Sequence, residues 1–194
     1  MISSRQELNE FLTYEYQKYF QNLSQWKYRA LLCAHDERAV IWHYQKCLRK
    51  TEYHYNTKHR LRYLLSRIKL NKLTVKYGMN IGINSCDKGL KIMHIGPILF
   101  NGNVKVGKNC SVHINTAIVA RGTTDEVPVL GDDIVIGVGA TILGGIQLAD
   151  GIAVGAGSVV NKSFDEPEIA IAGVPARKIS DNGRSKWANR KKSE

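Results

Sequence analysis

Before Gly78 the sequence has no glycine and no proline; all 17 glycines and all 4 prolines lie from that residue onward. A stretch without either residue lacks the usual helix breakers and the usual makers of tight turns, so residues 1–77 read as helices. Long apolar runs are missing too. None approaches the ~18 residues of a membrane span, which excludes a spanning helix. The opening "MISSRQELNEFL" has no basic region followed by an apolar core, so no secretory signal is expected there. Only four cysteines occur, Cys33, Cys47, Cys86 and Cys110, without CxxC spacing. That excludes a zinc ribbon or a disulfide framework and suits reduced thiols in a cytoplasmic protein. No DNA- or RNA-binding motif is visible, so no nucleic-acid partner is expected.

Charge of one sign is scarce at both ends. Met1–Tyr77 has 15 Lys and Arg against 6 Asp and Glu, Gly78–Gly183 has 8 against 10, and Arg184–Glu194 has 5 against 1. Such basic ends are either solvated faces or contacts for an acidic partner: an anionic polymer, a lipid surface or a nucleotide. Three regions follow: a basic helical region 1–77, a β-rich region 78–180 and a basic tail 181–194. In the first, "SRQE" at Ser4–Glu7 is a capping-box pattern. Leu8, Phe11, Leu12, Tyr16 and Tyr19 then keep helical spacing. A second helix is expected over Gln25–Lys50, with Ala30, Leu31, Ala34, Ile41, Tyr44 and Leu48 inward. A third is expected through "KHRLRYLLSRIKL".

In the β-rich region aliphatic residues return every sixth position: Leu130, Ile136, Ile142, Leu148, Val154 and Val160. The register runs back to Ile118, Val112, Val106 and Phe100, with Thr124 off-pattern in a polar stretch. A second aliphatic often stands two residues earlier, as at Ile98, Val104, Ile134, Ile146 and Ile152. A helix face repeats at 3.6 and a strand face at 2, and one strand of this length would be far outside the usual range. Short strands that turn every six residues satisfy the pattern. Three of them close a triangular coil of eighteen residues, and coils stack at about 4.8 Å. The expected fold is a parallel β-helix. Six residues before Phe100 stands His94, in a slot where the repeat wants an aliphatic residue; Ile92 keeps the earlier position. A polar ring at a core register needs a hydrogen-bonding partner or a chemical purpose. His113 follows Val112, which is eighteen residues after His94, so it is expected one coil away, ~5–7 Å from the His94 neighbourhood. It either lines a cleft there or is plain surface. The β-rich region has no third histidine to complete a zinc site, so no metal is expected.

The segments "IGVGATILGGI", "VGAGSVVNKS" and "IAGVPARKI" resemble the hexapeptide acyltransferases, which fold as a left-handed parallel β-helix. "GLKIMHIGPILFNGNVKVGKNCSVHINTAIV" is similar to their serine acetyltransferase-like branch, and most of all to members of capsule and surface-polysaccharide biosynthesis. The resemblance implies an acetyl-CoA-dependent O-acetyltransferase, a homotrimer, with His94 as general base in the context Gly89, Leu90, Ile92. It implies an orienting group upstream, where Asn80 stands in place of an acid; Asp87 is the nearby alternative, and Asn80 also suits a turn. It carries the acyl donor to Gly137, Gly155, Ala156, Ala172, Gly173 and Arg177, with Lys162 and Lys178 as further partners for its phosphates.

Serine enzymes of this kind have an Asp directly before the catalytic histidine and an Arg-His pair before the Pro that resumes the helix. Here Met93 and Glu126-Val127 stand in those places. Met93, Asp125 and Glu126 therefore suit an uncharged acceptor, a sugar hydroxyl, better than free serine, while Arg121 in the same loop is the residue that would compensate for the lost carboxylate grip. Met93, His113, Arg121 and Glu126 are the expected acceptor-binding residues. Serine acetylation is the alternative enzyme reading. A non-catalytic trimeric scaffold, bound to an anionic polymer or a membrane surface through its basic ends, is the alternative from another class. In the enzyme readings the basic helices are expected to deliver the acceptor, peripherally at the membrane's inner face, and to leave the chemistry to the β-helix.

Overall fold

A computed structural model describes residues 1–185. The chain divides into two compact units: Met1–Met79 with the short segment His94–Gly96, and Asn80–Met93 with Pro97 onward. Expected tail residues 186–194 lie outside the described part.

The first unit has four helices: α1 (Arg5–Tyr19), α2 (Gln25–Cys33), α3 (Glu37–Asn56) and α4 (Arg60–Tyr77). The capping box opens α1: the Ser4 hydroxyl accepts the Glu7 N–H at 3.1 Å, and the Glu7 carboxylate accepts the Ser4 N–H at 3.2 Å. The single helix expected over Gln25–Lys50 is two. His35 takes a left-handed φ of 59°. Asp36 then starts α3 afresh, its carboxylate accepting the Ala39 N–H at 3.1 Å. Such a cap is worth about 1 kcal/mol, enough to break a helix where no glycine or proline marks the break. Ile41, Tyr44 and Leu48 are buried as expected, whereas Ala30 and Ala34 of the broken stretch are exposed. Phe20, Tyr28, Ala39 and Trp42 form an aromatic core with Tyr16 and Tyr19 against it. Beside it, buried Arg49 bridges two buried carboxylates, Glu15 at 2.7 Å and Glu52 at 2.9 Å. The unit ends where Gly78 takes a φ of 73°, a conformation that a side chain makes costly.

The second unit is a three-faced parallel coil. One face stacks β1 (Met79–Asn80), β3 (Ile98–Phe100), β6 (Thr116–Val119), β9 (Thr141–Leu143) and β12 (Val159–Val160). A second stacks β4 (Lys105–Val106), β7 (Val129–Leu130) and β10 (Gln147–Leu148). The third stacks β2 (Lys91–Ile92), β5 (Ser111–Val112), β8 (Val135–Ile136), β11 (Ala153–Val154) and β13 (Ala170–Gly173), and antiparallel β14 (Ala176–Ser180) closes it. The sixfold aliphatics point inward: Val112, Ile118, Ile136, Ile142, Val154 and Val160 are all buried. Thr141 pairs with Val159 and Val135 with Ala153, the eighteen-residue coil that the repeat dictates.

Two departures from that period matter. Val129 pairs with Lys105, twenty-four residues back, because the exposed loop after β6 adds six. Ile92 pairs with Val112, twenty residues on, while Phe100 pairs with Ile118, eighteen on. The corner between β2 and β3 therefore holds two more residues than the corner between β5 and β6. The expected tail boundary also shifts. Arg184 donates its backbone N–H to the Gly151 carbonyl at 2.8 Å and a guanidinium N–H to the Ser111 hydroxyl at 3.1 Å. The first tail residues are thus part of the coil.

Candidate functional site

The long corner after β2 contains His94. The residue does not occupy a core slot: its side chain is 54% exposed, and Ile92 fills the inward position. The two extra residues are the reason. Counting sixes back from Phe100 lands on His94, but the chain spends two of those residues in the turn. The segment His94–Gly96 belongs to the helical unit. There Glu37, the first residue of α3, meets it with both carboxylate oxygens: Oε2 lies 3.4 Å from His94 Nδ1, and Oε1 accepts the Ile95 N–H at 3.0 Å. A base is usually held by a second group that fixes its ring, and Glu37 has that geometry. Asp36, one residue earlier, caps α3 and so fixes the start of the helix that carries Glu37.

Sequence reading missed Glu37, which lies 57 residues from its partner. The only local signal was an acidic pair at a helix start, and that pattern already has a sufficient cause in capping and the helix dipole. Asn80, the expected orienting residue, is exposed on β1. Asp87 accepts the Lys88 N–H at 2.6 Å, within its own turn.

In the β-helical unit, the register corrects the expected stacking of the histidines. Met93, not His94, is in column with His113. Met93 donates its N–H to the Val112 carbonyl at 2.9 Å, His113 to Ile136 at 3.1 Å, Gly137 to Val154 at 2.9 Å and Gly155 to Ile171 at 2.8 Å. Each residue stands where the chain leaves the third face. His113, Gly137, Gly155 and Ala156 line one groove of about 290 Å³, whose floor is completed by Val135, Ala153 and Ile171. That volume is at the small end of ligand pockets, and the lining is mostly apolar and short, as a slim arm requires.

Gly137 has a structural cause independent of any ligand. A Cβ there would come within 2.7 Å of the Ala156 nitrogen and 2.9 Å of the Gly155 carbonyl carbon, both backbone of the next coil.

The remaining expected site residues are not in this groove. Ala172 and Gly173 lie on β13, and Arg177 is exposed on β14, paired in register with Ala172. Lys162 stands over the Phe164 ring at 5.2 Å. Lys178 is bound to two carboxylates, Glu166 and Asp181, the latter at 2.6 Å. These hydrogen bonds hold its ammonium above the usual lysine range, Asp181 first and Glu166 second. A lysine already paired with two carboxylates has less charge to offer a phosphate than an unpaired one. Arg121 and Glu126 sit in the exposed loop after β6. Arg121 donates to the Asn161 carbonyl at 2.7 Å, and the two side chains pack against Gly144 and Gly145 respectively. They gather at the corner after β9, on a different edge of the coil from the groove. Among the described residues no cluster of His, Cys, Asp or Glu could hold a metal ion, and no helix is long and apolar enough to cross a membrane.

The chain is similar to serine acetyltransferases. It is 27% identical over 158 residues to the serine acetyltransferase of Buchnera aphidicola subsp. Schizaphis graminum, a match covering 78% of this chain and 59% of that protein. It matches the crystal structure of serine acetyltransferase in complex with coenzyme A from Brucella abortus strain S19, at 26% identity and a TM-score of 0.61, over 74% of this chain and 57% of that one. Another serine acetyltransferase structure from the same strain reaches a TM-score of 0.70 at 22% identity, over 92% of this chain and 71% of that one. The chain thus spans about three fifths of the length of the curated relative. No protein-family model matches it. The coil has the left-handed parallel β-helix fold of these neighbours, preceded in the chain by four helices.

Proposed function

We propose that this chain transfers the acetyl group of acetyl-CoA to an acceptor hydroxyl, with His94 as general base. The observation that carries the reading is the imidazole of a solvent-reached turn with a carboxylate against its Nδ1. With Nδ1 turned to Glu37, Nε2 is the basic atom. It takes the proton as the acceptor oxygen attacks the thioester carbonyl. The tetrahedral intermediate then collapses, the carbon–sulfur bond breaks, and the thiolate leaves with that proton. General-base assistance of this kind is typically worth ~10²–10⁴ in rate. The groove of His113, Gly137, Gly155 and Ala156 fits the donor's slender arm, and Lys162 and Arg177 are the cations offered to its phosphates. The assembly proposed is a homotrimer.

For the acceptor, the hydroxyl of free L-serine is the reading that the relatives favour, since the similar proteins are serine acetyltransferases. A sugar hydroxyl is the second reading. Met93 and Glu126 favour it, because neither supplies the charge that would meet an amino-acid zwitterion at those two places. Thiol release from acetyl-CoA separates the readings. Release with L-serine and none with mono- or oligosaccharides supports serine, the reverse supports a glycan, and none with any acceptor sinks acetyl transfer and leaves a scaffold. The basic helical unit is proposed to touch an anionic surface.

A further inference from the structure

Helix α4 is apolar on two sides. One side packs inward through buried Leu70. The other carries Leu61, Leu64, Leu65, Ile68 and Val75, which are 70%, 54%, 61%, 46% and 87% exposed. At 100° per residue these five fall within an arc of about 100°. Single exposed aliphatics are ordinary, but a contiguous stripe marks an interaction surface. Six cations share the helix, and it has no Asp or Glu at all. Arg60 and Arg67 border the stripe on one side, Arg62, Lys69 and Lys76 on the other, and Lys72 lies within it. None of the six is in an ion pair among the described residues.

The charge decides the occupant. A second copy laid on this stripe through its own α4 would bring six cations against six, with no carboxylate on either helix to answer them. An anionic bilayer answers both features: its acyl boundary takes the aliphatics, and its phosphates take the flanking Lys and Arg. We propose that α4 docks on the surface of an anionic bilayer, with Leu61, Leu64, Leu65, Ile68 and Val75 entering the interface. This narrows the surface contact proposed above to one helix and one lipid class, and it stands independently of acetyl transfer. Lys72 reaches the headgroups along its own aliphatic stem.

Flotation of the full chain with vesicles tests it, using phosphatidylglycerol mixed with phosphatidylcholine against phosphatidylcholine alone. Wild type is expected to float with the anionic vesicles only, and less so as salt rises. Leu61→Gln/Leu65→Gln/Val75→Gln, all at exposed positions, should unfold at the wild-type midpoint yet bind about tenfold or more weakly. Arg62→Gln/Lys69→Gln/Lys76→Gln should do the same and lose the salt dependence. Wild-type flotation matched by the Leu variant would assign the surface to another element and overturn the role of α4. No flotation of wild type would remove the bilayer contact itself. No flotation, together with a smaller particle for the Leu variant in sedimentation, would show that the stripe packs on another copy.

Discussion

Replacing Glu37 separates the two jobs its carboxylate performs. Glu37→Gln keeps an oxygen to accept the Ile95 N–H, so the turn stays held, and removes only the charge beside His94. As the imidazole takes the acceptor's proton it becomes a cation 3.4 Å from that carboxylate. In a medium like water such a pair is worth about 1 kcal/mol. With the two side chains 54% and 47% exposed, the realised value falls in the ~0.2–1 kcal/mol measured for surface pairs. The expected loss in kcat is therefore about 1.4- to fivefold, with KM for acetyl-CoA unchanged. Glu37→Ala removes the Ile95 bond as well and loosens the turn that aims His94, so about tenfold or more is expected. His94→Ala should lose ~10²–10⁴. Neither Glu37 variant should cost more than about 1 kcal/mol in stability, the value of an acid in a first helical turn. Steady-state kinetics with a thiol reagent, beside a melt, gives all four numbers. If both variants keep wild-type kcat while His94→Ala is inactive, Glu37 plays no part in aiming or stabilising the base.

Three further outcomes are expected. Gly137→Ala should destabilise by about 1–3 kcal/mol, because the new Cβ meets backbone of the next coil. Gly102→Ala, which meets nothing within 4 Å, should change the unfolding midpoint by less than about 0.5 kcal/mol; equal losses at both would refute the coil-stacking argument. Coenzyme A affinity, measured by calorimetry, should weaken several-fold in Arg177→Gln and hold in Lys178→Gln, whose lysine is already neutralised by Glu166 and Asp181. Stability should fall on acidification below pH 6.5. Burial first, and then Lys69, Lys46 and Lys50, hold His43 below its ordinary value of 6.5; burial and then Arg62 do the same to His54. The unfolded chain binds those protons more readily, so the stability they leave intact above 6.5 is lost as pH drops through the folded values. Denaturant midpoints across that range should flatten in the His43→Gln/His54→Gln double variant.

The coil was legible because its cause is local and periodic. Each buried aliphatic demands another six residues on, and the strand spacing does the rest, so the fold and most of its inward residues could be read directly. Helix α1 was legible for the same reason, through a box of four residues. What escaped has a different kind of cause. The break between α2 and α3 rests on one left-handed residue and one Asp cap, neither of which interrupts the apolar pattern. The pairing of Lys178 with Glu166 and Asp181 depends on how the closing hairpin folds back, and single residues do not announce it.

His94 shows both kinds of cause acting at one place. Its hexad looks regular, which is why counting places it in the core column above Val112. Two residues of that hexad are in fact spent widening a corner, so the core column passes through Ile92 and His94 stands in the turn. A histidine stacked in the aliphatic column would have been a desolvated ring, hard to protonate and closed to an acceptor. In the turn it is reached by solvent and by a carboxylate from α3. With His94 as the proposed base, the helical unit is proposed to orient it through Glu37 as well as to meet the acceptor. The orienting position expected some fourteen residues upstream holds Asn80 in place of an acid, and the carboxylate that meets the imidazole is that of Glu37 on α3. A repeat can supply a column of identical slots. In the reading proposed above, the coil presents the His94 ring by being interrupted at this corner.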